Sequence, residues 1–138
     1  GSWYDAWPSE GSHAELAPRN ELEFEFINYF KKKHNISHVS VERIVSGSGL
    51  VNVYEFLAQK YPERVDTTIH EAINAAGDLK GKFIAEGALV PGSLCCLVMD
   101  TWATHYGAEA GLTCLKYLPM GGLFLAGGMT PKNMSYIE

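Results

Sequence analysis

The chain has 138 residues, of which 46% are hydrophobic and 20% charged, a composition that excludes disordered and fibrous proteins and suits one folded domain. Its formal net charge of −5 and its single basic run, residues 31–33, argue against nucleic acid, whose binders concentrate Lys and Arg on one face. The longest uninterrupted apolar run, residues 94–99, is far shorter than the ~18 residues of a membrane-spanning helix. We therefore expect neither a nucleic-acid nor a membrane partner.

The chain contains three cysteines, and two of them, Cys95 and Cys96, are adjacent. An odd number with two neighbours is not a disulfide framework, so we expect a reducing, cytoplasmic environment. No Cys-x-x-Cys pair occurs, and the histidines do not share a metal-ligand spacing. The sequence therefore predicts no metal site.

The first predicted helix covers residues 21–34. Asn20 is a suitable N-cap, and Glu23 stands at the third helical position, a variant of the capping box. Apolar side chains recur at the spacing of one helical face, namely Leu22, Phe26, Tyr29 and Phe30. Residues 40–45 are then expected to form a short helical segment that ends at the Ser/Gly run of residues 46–49.

Four further helical elements are expected before residue 117. A helix over residues 50–61 is stopped by Pro62, which cannot continue it. The capping-box spacing of Thr68 and Glu71 opens the next one, and residues 79–89 follow as another. The fourth is a long helix that starts after Ser93 and runs to about Lys116. Its apolar face consists of Leu94, Val98, Trp102, His105, Ala108, Leu112 and Leu115.

Residues 123–126 are apolar throughout and bounded by glycines, which predicts a buried strand closed by Gly127 and Gly128. A lone strand cannot satisfy its own backbone groups, and only residues 11–17 offer another extended segment. We therefore expect a helix-rich α/β architecture in which other members of the sheet lie outside this sequence.

Three groups of residues could hold a ligand, and each also has a plainer explanation. Glu10 and His13 flank a Gly-Ser turn that would expose both to a small polar ligand, although an ordinary surface loop fits their spacing better. Glu42 stands among apolar residues, either held for a ligand or directed toward solvent or its basic neighbour. Gly127 and Gly128 could admit a flat ligand such as a nucleoside, or simply form a tight turn.

The order and spacing of four stretches make the chain resemble the bacterial-type glucokinases, enzymes of the actin/hexokinase/heat-shock ATPase fold. The stretches are SEGSHAELAP (9–18), HVSVERIVSGSGLVN (38–52), YGAEAG (106–111) and GGLFLAGGMTPK (121–132). The family motif is Glu-Gly-Gly-His, and Ser12 replaces its second glycine here. Residues 66–82 look like an insertion relative to the shortest bacterial members.

The resemblance implies that Glu10, His13 and Glu42 hydrogen-bond the hydroxyls of glucose and that Gly127 and Gly128 hold the adenosine of ATP. It implies phosphorylation of the 6-hydroxyl of glucose by Mg²⁺ and ATP. The family's general-base aspartate and phosphate-binding loop have no counterpart in this sequence, so no catalytic residue is expected in it. Residues 1–138 therefore resemble part of the large C-terminal lobe of a sugar kinase, without the N-terminal lobe and the final helices.

We accordingly expect the parent protein to be a cytoplasmic glucokinase and the 138-residue chain alone to be inactive. Apolar surface that the rest of the lobe would cover is expected to cause self-association, as a homo-oligomer or by strand pairing. A non-catalytic sugar-binding module, a helical interaction module and a kinase of another hexose remain as alternatives.

Overall fold

A computed structural model describes residue 5 and residues 7–137 of the chain. The chain divides into two compact units, Gly1–Glu42 and Arg43–Glu138. Within the described residues the helices are α1 (Glu21–His34), α2 (Gly47–Lys60), α3 (Thr67–Ala75), α4 (Lys80–Gly87), α5 (Leu94–Tyr117) and α6 (Met129–Lys132). None of these helices is long and apolar enough to cross a membrane.

Helix α1 of the first unit has the predicted bounds because its start is encoded locally. The Asn20 side chain accepts a hydrogen bond from the Glu23 amide at 3.0 Å, and the Glu23 carboxylate accepts one from the Arg19 amide at 2.6 Å. This reciprocal arrangement satisfies amides that have no partner inside the helix. Asn35 ends the helix in the left-handed conformation, with φ of 51°.

Two extended segments that flank α1 in the sequence, residues 14–16 and 39–41, pair with each other. The Leu16 amide donates to the Val39 carbonyl and the Val41 amide donates to the Ala14 carbonyl, both at 2.9 Å. They form an isolated antiparallel bridge between Glu15 and Ser40. The expected helical segment over residues 40–45 is therefore only partly right, since a short 3-10 helix, Val41–Arg43, follows the bridge.

The second unit begins its main packing with α2, which starts at Gly47 rather than at the predicted residue 50. The Ser/Gly run is the first turn of the helix, because the Ser46 side chain accepts a hydrogen bond from the Gly49 amide at 2.8 Å. A Cβ at Gly49 would overlap the carbonyl of Ile44, so the helix start requires glycine there. The helix ends at Lys60, before Pro62, as predicted.

Helix α3 starts earlier than expected, and the predicted Thr68–Glu71 capping box is wrong. The cap is Asp66, whose carboxylate accepts a hydrogen bond from the Ile69 amide at 3.0 Å. Both candidates have a side chain that can cap, and the local pattern did not separate them. After a 3-10 turn, Gly77–Leu79, α4 occupies most of the range predicted as helical.

Helix α5 has the predicted length, but only its first half is core. Trp102 and His105 are buried, whereas Leu112 is exposed and Leu115 is 75% exposed. The predicted apolar face therefore continues onto the surface. Ser93 precedes the helix without capping it, because its hydroxyl donates to the Gly87 carbonyl at 2.8 Å.

The predicted buried strand over residues 123–126 is not present in the structure. These residues are irregular, and Phe124 is 85% exposed. A strand needs a partner for its amides and carbonyls, and residues 14–16 pair with residues 39–41 instead. The described part of the chain is thus helix-rich and contains no sheet.

Candidate functional site

A polar cluster forms in the first unit around the turn predicted from Glu10 to His13. Gly11–His13 is a 3-10 helix, in which side chains three residues apart lie on the same side. The His13 Nε2 is therefore 3.4 Å from a carboxylate oxygen of Glu10. Ser12, the departure from the family motif, lies inside this turn without disrupting it.

Glu42 joins the same cluster from the other extended segment. Its carboxylate oxygen is 3.9 Å from the Nδ1 of His13, so the imidazole has a carboxylate near each ring nitrogen. The backbone pairing of residues 14–16 with 39–41 sets this distance, because it brings together segments that α1 separates in the sequence. All three side chains proposed for one ligand thus meet in one place.

His38 supports the cluster and was not among the predicted site residues. Its Nε2–H donates to the backbone carbonyl of His13 at 3.1 Å, since a carbonyl can only accept. The bond ties the turn to the second extended segment next to Glu42. The only sequence signal was its position at the start of the 38–52 stretch.

The cluster is accessible to a ligand. The side chains of Glu10, His13 and Glu42 are 87%, 62% and 44% exposed. Contacts between such exposed groups contribute little to stability, so they can exchange for hydrogen bonds to a ligand. Two carboxylates and one imidazole can accept several hydroxyl hydrogens, and bonds to charged acceptors are the stronger ones. The arrangement suits a small polyhydroxyl ligand.

A second candidate site lies in the second unit at Gly127 and Gly128. Gly127 has φ of 98°, which only glycine adopts without strain, and Gly128 precedes α6. A Cβ at either residue would meet no atom within 4 Å among the described residues. The two glycines therefore present bare backbone to open space.

A cavity of about 480 Å³ adjoins this turn, because Met129, the residue after Gly128, forms part of its wall. The same cavity is also lined by Asp78, Leu79, Gly81 and Lys82 of the apparent insertion, which sequence reasoning did not reveal. Its lining includes Leu50, Leu79, Leu89, Met129, Lys132 and Tyr136. Its size and its apolar walls with a few charged groups suit a nucleoside.

Three titratable groups of the second unit have raised pKa values. Burial raises the pKa of the Cys95 thiol to about 11 and that of Tyr54 to about 12. Burial also raises the pKa of Tyr136. Such groups stay protonated at neutral pH, so Cys95 is a core side chain and not a nucleophile. Within residues 7–137 and residue 5, no group of three or more His, Cys, Asp or Glu side chains could hold a metal ion.

Comparison with known proteins gives one consistent result. The family model described as Glucokinase matches residues 1–138. A glucokinase of Nostoc sp. (strain PCC 7120) is 40% identical over 150 aligned residues, which cover 100% of this chain and 43% of the relative. A Synechocystis sp. glucokinase is 38% identical, covering 98% and 41%. A Helicobacter pylori (strain P12) glucokinase is 34% identical, covering 95% and 37%. The chain spans about two fifths of the length of the curated relatives it matches.

Proposed function

We propose, from the premise that the chain belongs to the glucokinase family, that the whole protein transfers the γ-phosphoryl group of ATP to the 6-hydroxyl of glucose. The observation that carries the proposal is the convergence of Glu10, His13 and Glu42, with the imidazole 3.4 Å and 3.9 Å from the two carboxylates. This cluster matches the chemistry that a family member needs for a sugar.

Glucose binding is assigned to the side chains of this cluster. The carboxylates of Glu10 and Glu42 accept hydrogen bonds from vicinal sugar hydroxyls, and His13 offers a donor or an acceptor according to its tautomer. The 3-10 turn fixes the first two side chains relative to each other, and the backbone pairing adds the third. Three groups that converge in this way would orient neighbouring hydroxyls of the sugar, which is what phosphoryl transfer to one hydroxyl requires.

Nucleotide binding is assigned to the Gly127–Gly128 turn and the adjoining cavity. The bare backbone allows close approach of the ribose, and the apolar walls suit the base. ATP supplies the transferred group: the bond from the γ-phosphorus to the bridging oxygen breaks, and a bond to the sugar oxygen forms. ADP leaves, and the hydroxyl proton passes to a base.

That base is proposed to lie in a part of the protein outside this chain. The sequence contains no Asn-Asp pair of the family type, and the relatives are more than twice as long as the chain. No group of three or more His, Cys, Asp or Glu side chains that could hold a metal ion occurs among the described residues, and no step is assigned to Mg²⁺ here. We accordingly propose that residues 1–138 form part of the large lobe of an actin-like α/β kinase and do not catalyse alone.

The exposed apolar residues fit this assignment. Leu115, Tyr117, Leu118, Met120 and Phe124 are exposed at the end of α5 and in the segment after it. In the isolated chain we propose that they cause self-association with a second copy, which sedimentation velocity would detect and a monomer at high concentration would refute.

The three free cysteines agree with a reducing, cytoplasmic location.

The test is made in the full-length protein with Glu10→Gln and Glu42→Gln, which keep size and remove charge. Each is expected to lower kcat/KM for glucose about tenfold to 100-fold, because each removes a hydrogen bond to a charged acceptor. The matched control is Glu63→Gln in the exposed 3-10 turn Pro62–Arg64, which is expected to leave the kinetics unchanged.

Two results would refute the proposal. One is unchanged kinetics in both site variants, provided that circular dichroism shows them folded. The other is substantial glucose 6-phosphate formation by the purified 138-residue chain in a coupled assay, which would contradict the assignment of the base elsewhere.

A further inference from the structure

The first turn of α6, which follows the Gly127–Gly128 turn directly, is held by side chains on two sides. The hydroxyl of Tyr106 on α5 is 2.7 Å from the hydroxyl of Thr130. The side-chain amide of Asn133 donates to the Met129 carbonyl at 2.8 Å. Met129 and Thr130 are the two residues that follow the glycines, so these contacts restrain the backbone next to the turn.

Tyr106 is itself held in place. Its ring stacks on the ring of Trp102 with centroids 5.1 Å apart and an interplanar angle of 13°. Trp102 is among the most deeply buried side chains of the described residues. The aromatic stack therefore holds the Tyr106 hydroxyl in place relative to the core of the second unit. The hydrogen bond of this hydroxyl in turn holds Thr130.

Among the residues that the structure describes, the glycine turn has few other contacts. Open space surrounds the Cβ positions of Gly127 and Gly128, and residues 123–126 before them are irregular and largely exposed. Asn133, in contrast, is buried, and Tyr136 donates to the Ala88 carbonyl at 3.1 Å. The turn is thus anchored mainly from its C-terminal side, where Tyr106 provides the contact from α5.

We infer that Tyr106 is a positioning residue for the nucleotide site: through its hydrogen bond to Thr130 it holds the Gly127–Gly128 backbone where adenosine binds. The inference rests on the proposed function, because it takes the glycine turn as the nucleotide site. Tyr106 contacts neither substrate in this scheme and takes no part in sugar binding. Small displacements of a positioned backbone have large effects on ligand contacts, which gives the bond a functional role.

The experiment uses the full-length protein with Tyr106→Phe and Thr130→Val, each of which removes one hydroxyl and keeps the side-chain shape. Each is expected to raise the KM for ATP and the Kd of the non-hydrolysable analogue AMP-PNP about threefold to tenfold, the effect of one lost hydrogen bond. The KM for glucose of both variants should stay within about twofold of the wild-type value. The control is Tyr117→Phe, at an exposed tyrosine on the same helix, which should leave the KM for ATP, the Kd of AMP-PNP and the KM for glucose within about twofold.

Two further variants separate positioning from a merely structural role. The double variant is expected to match either single one, because both remove the same bond and their effects cannot add. Thr130→Ser keeps a hydroxyl and is expected to restore the wild-type Kd. A structural role alone would lower Tm without a selective change in nucleotide binding.

Each outcome decides between the two claims. If the wild type binds AMP-PNP and the single variants bind it equally well, the inference is wrong and the proposed function stands. If the variants weaken AMP-PNP binding but the wild type does not phosphorylate glucose, the positioning role stands and the proposed function is wrong. If the wild type does not bind AMP-PNP, both are overturned.

Discussion

The two candidate sites are built in opposite ways. The sugar-side turn, residues 10–13, is closed by its own backbone hydrogen bonds and supported by the His38 side chain, and its side chains are the groups proposed to bind. The nucleotide-side turn, Gly127–Gly128, is held by side chains, and its backbone is the group proposed to bind. Substitutions in the first turn should therefore remove groups that hydrogen-bond the ligand, whereas substitutions near the second should displace the backbone that contacts the ligand.

The two glycines of the nucleotide-side turn differ in backbone conformation, so they test whether geometry decides at this turn. Gly127→Ala in the full-length protein is expected to raise the KM for ATP roughly tenfold, because a Cβ at φ of 98° is strained and the turn will shift to relieve it. Gly128 has φ of −71° and open space around it. Gly128→Ala adds the same methyl group at the backbone proposed to face the ribose, but without backbone strain, so it is the comparison variant and is expected to raise the KM for ATP less, by about threefold.

Steady-state kinetics with each substrate varied in turn measure both effects. Equal effects of the two alanine substitutions would show that bulk, rather than backbone conformation, decides at this turn. A comparable rise in the KM for glucose would break the separation between the two sites.

A second test addresses the buried scaffold of the unit that carries the nucleotide-side turn. The pKa of Cys95 is about 11 in the folded state and 9.0 is its ordinary value, so the unfolded state loses the proton first as the pH rises. The contribution of Cys95 to the free energy of unfolding is therefore fully present below about pH 9. It falls between pH 9 and 11, by on the order of 1 kcal/mol at pH 10. Tyr54, with a pKa of about 12, acts in the same direction at higher pH.

Urea unfolding at several pH values measures this dependence. Cys95→Ala is expected to flatten the alkaline decline, whereas Val98→Ala, at a buried residue of the same helix that carries no titratable group, should leave the decline unchanged. An identical decline in both variants would assign the alkaline sensitivity to other groups.

The smallest expected effect concerns the support of the sugar-side turn. His38→Phe keeps an aromatic ring and removes the donor to the His13 carbonyl, so the KM for glucose is expected to rise about threefold. The KM for ATP should not change. His34→Phe, at an exposed histidine at the end of α1, is the matched control. A rise in the KM for glucose as large as that from Glu42→Gln would mean that His38 does more than hold the turn.

Sequence reasoning was accurate where interactions are local. The Asn20 and Glu23 pattern placed α1 correctly because the capping atoms lie within four residues of each other. It failed at α3, where Asp66 and Thr68 are both capable caps, and at the start of α2, which lies at Gly47 instead of residue 50. The assignments of Glu10, His13, Glu42, Gly127 and Gly128 to ligands remain predictions.

The sequence by itself determined most of the helices and the family, since both follow from short-range patterns and their order along the chain. Only the tertiary structure decided that His13 lies between two carboxylates, because the backbone pairing of residues 14–16 with 39–41 is a long-range contact. It also decided that residues 123–126 are exposed and irregular, since a strand exists only where another strand satisfies its backbone.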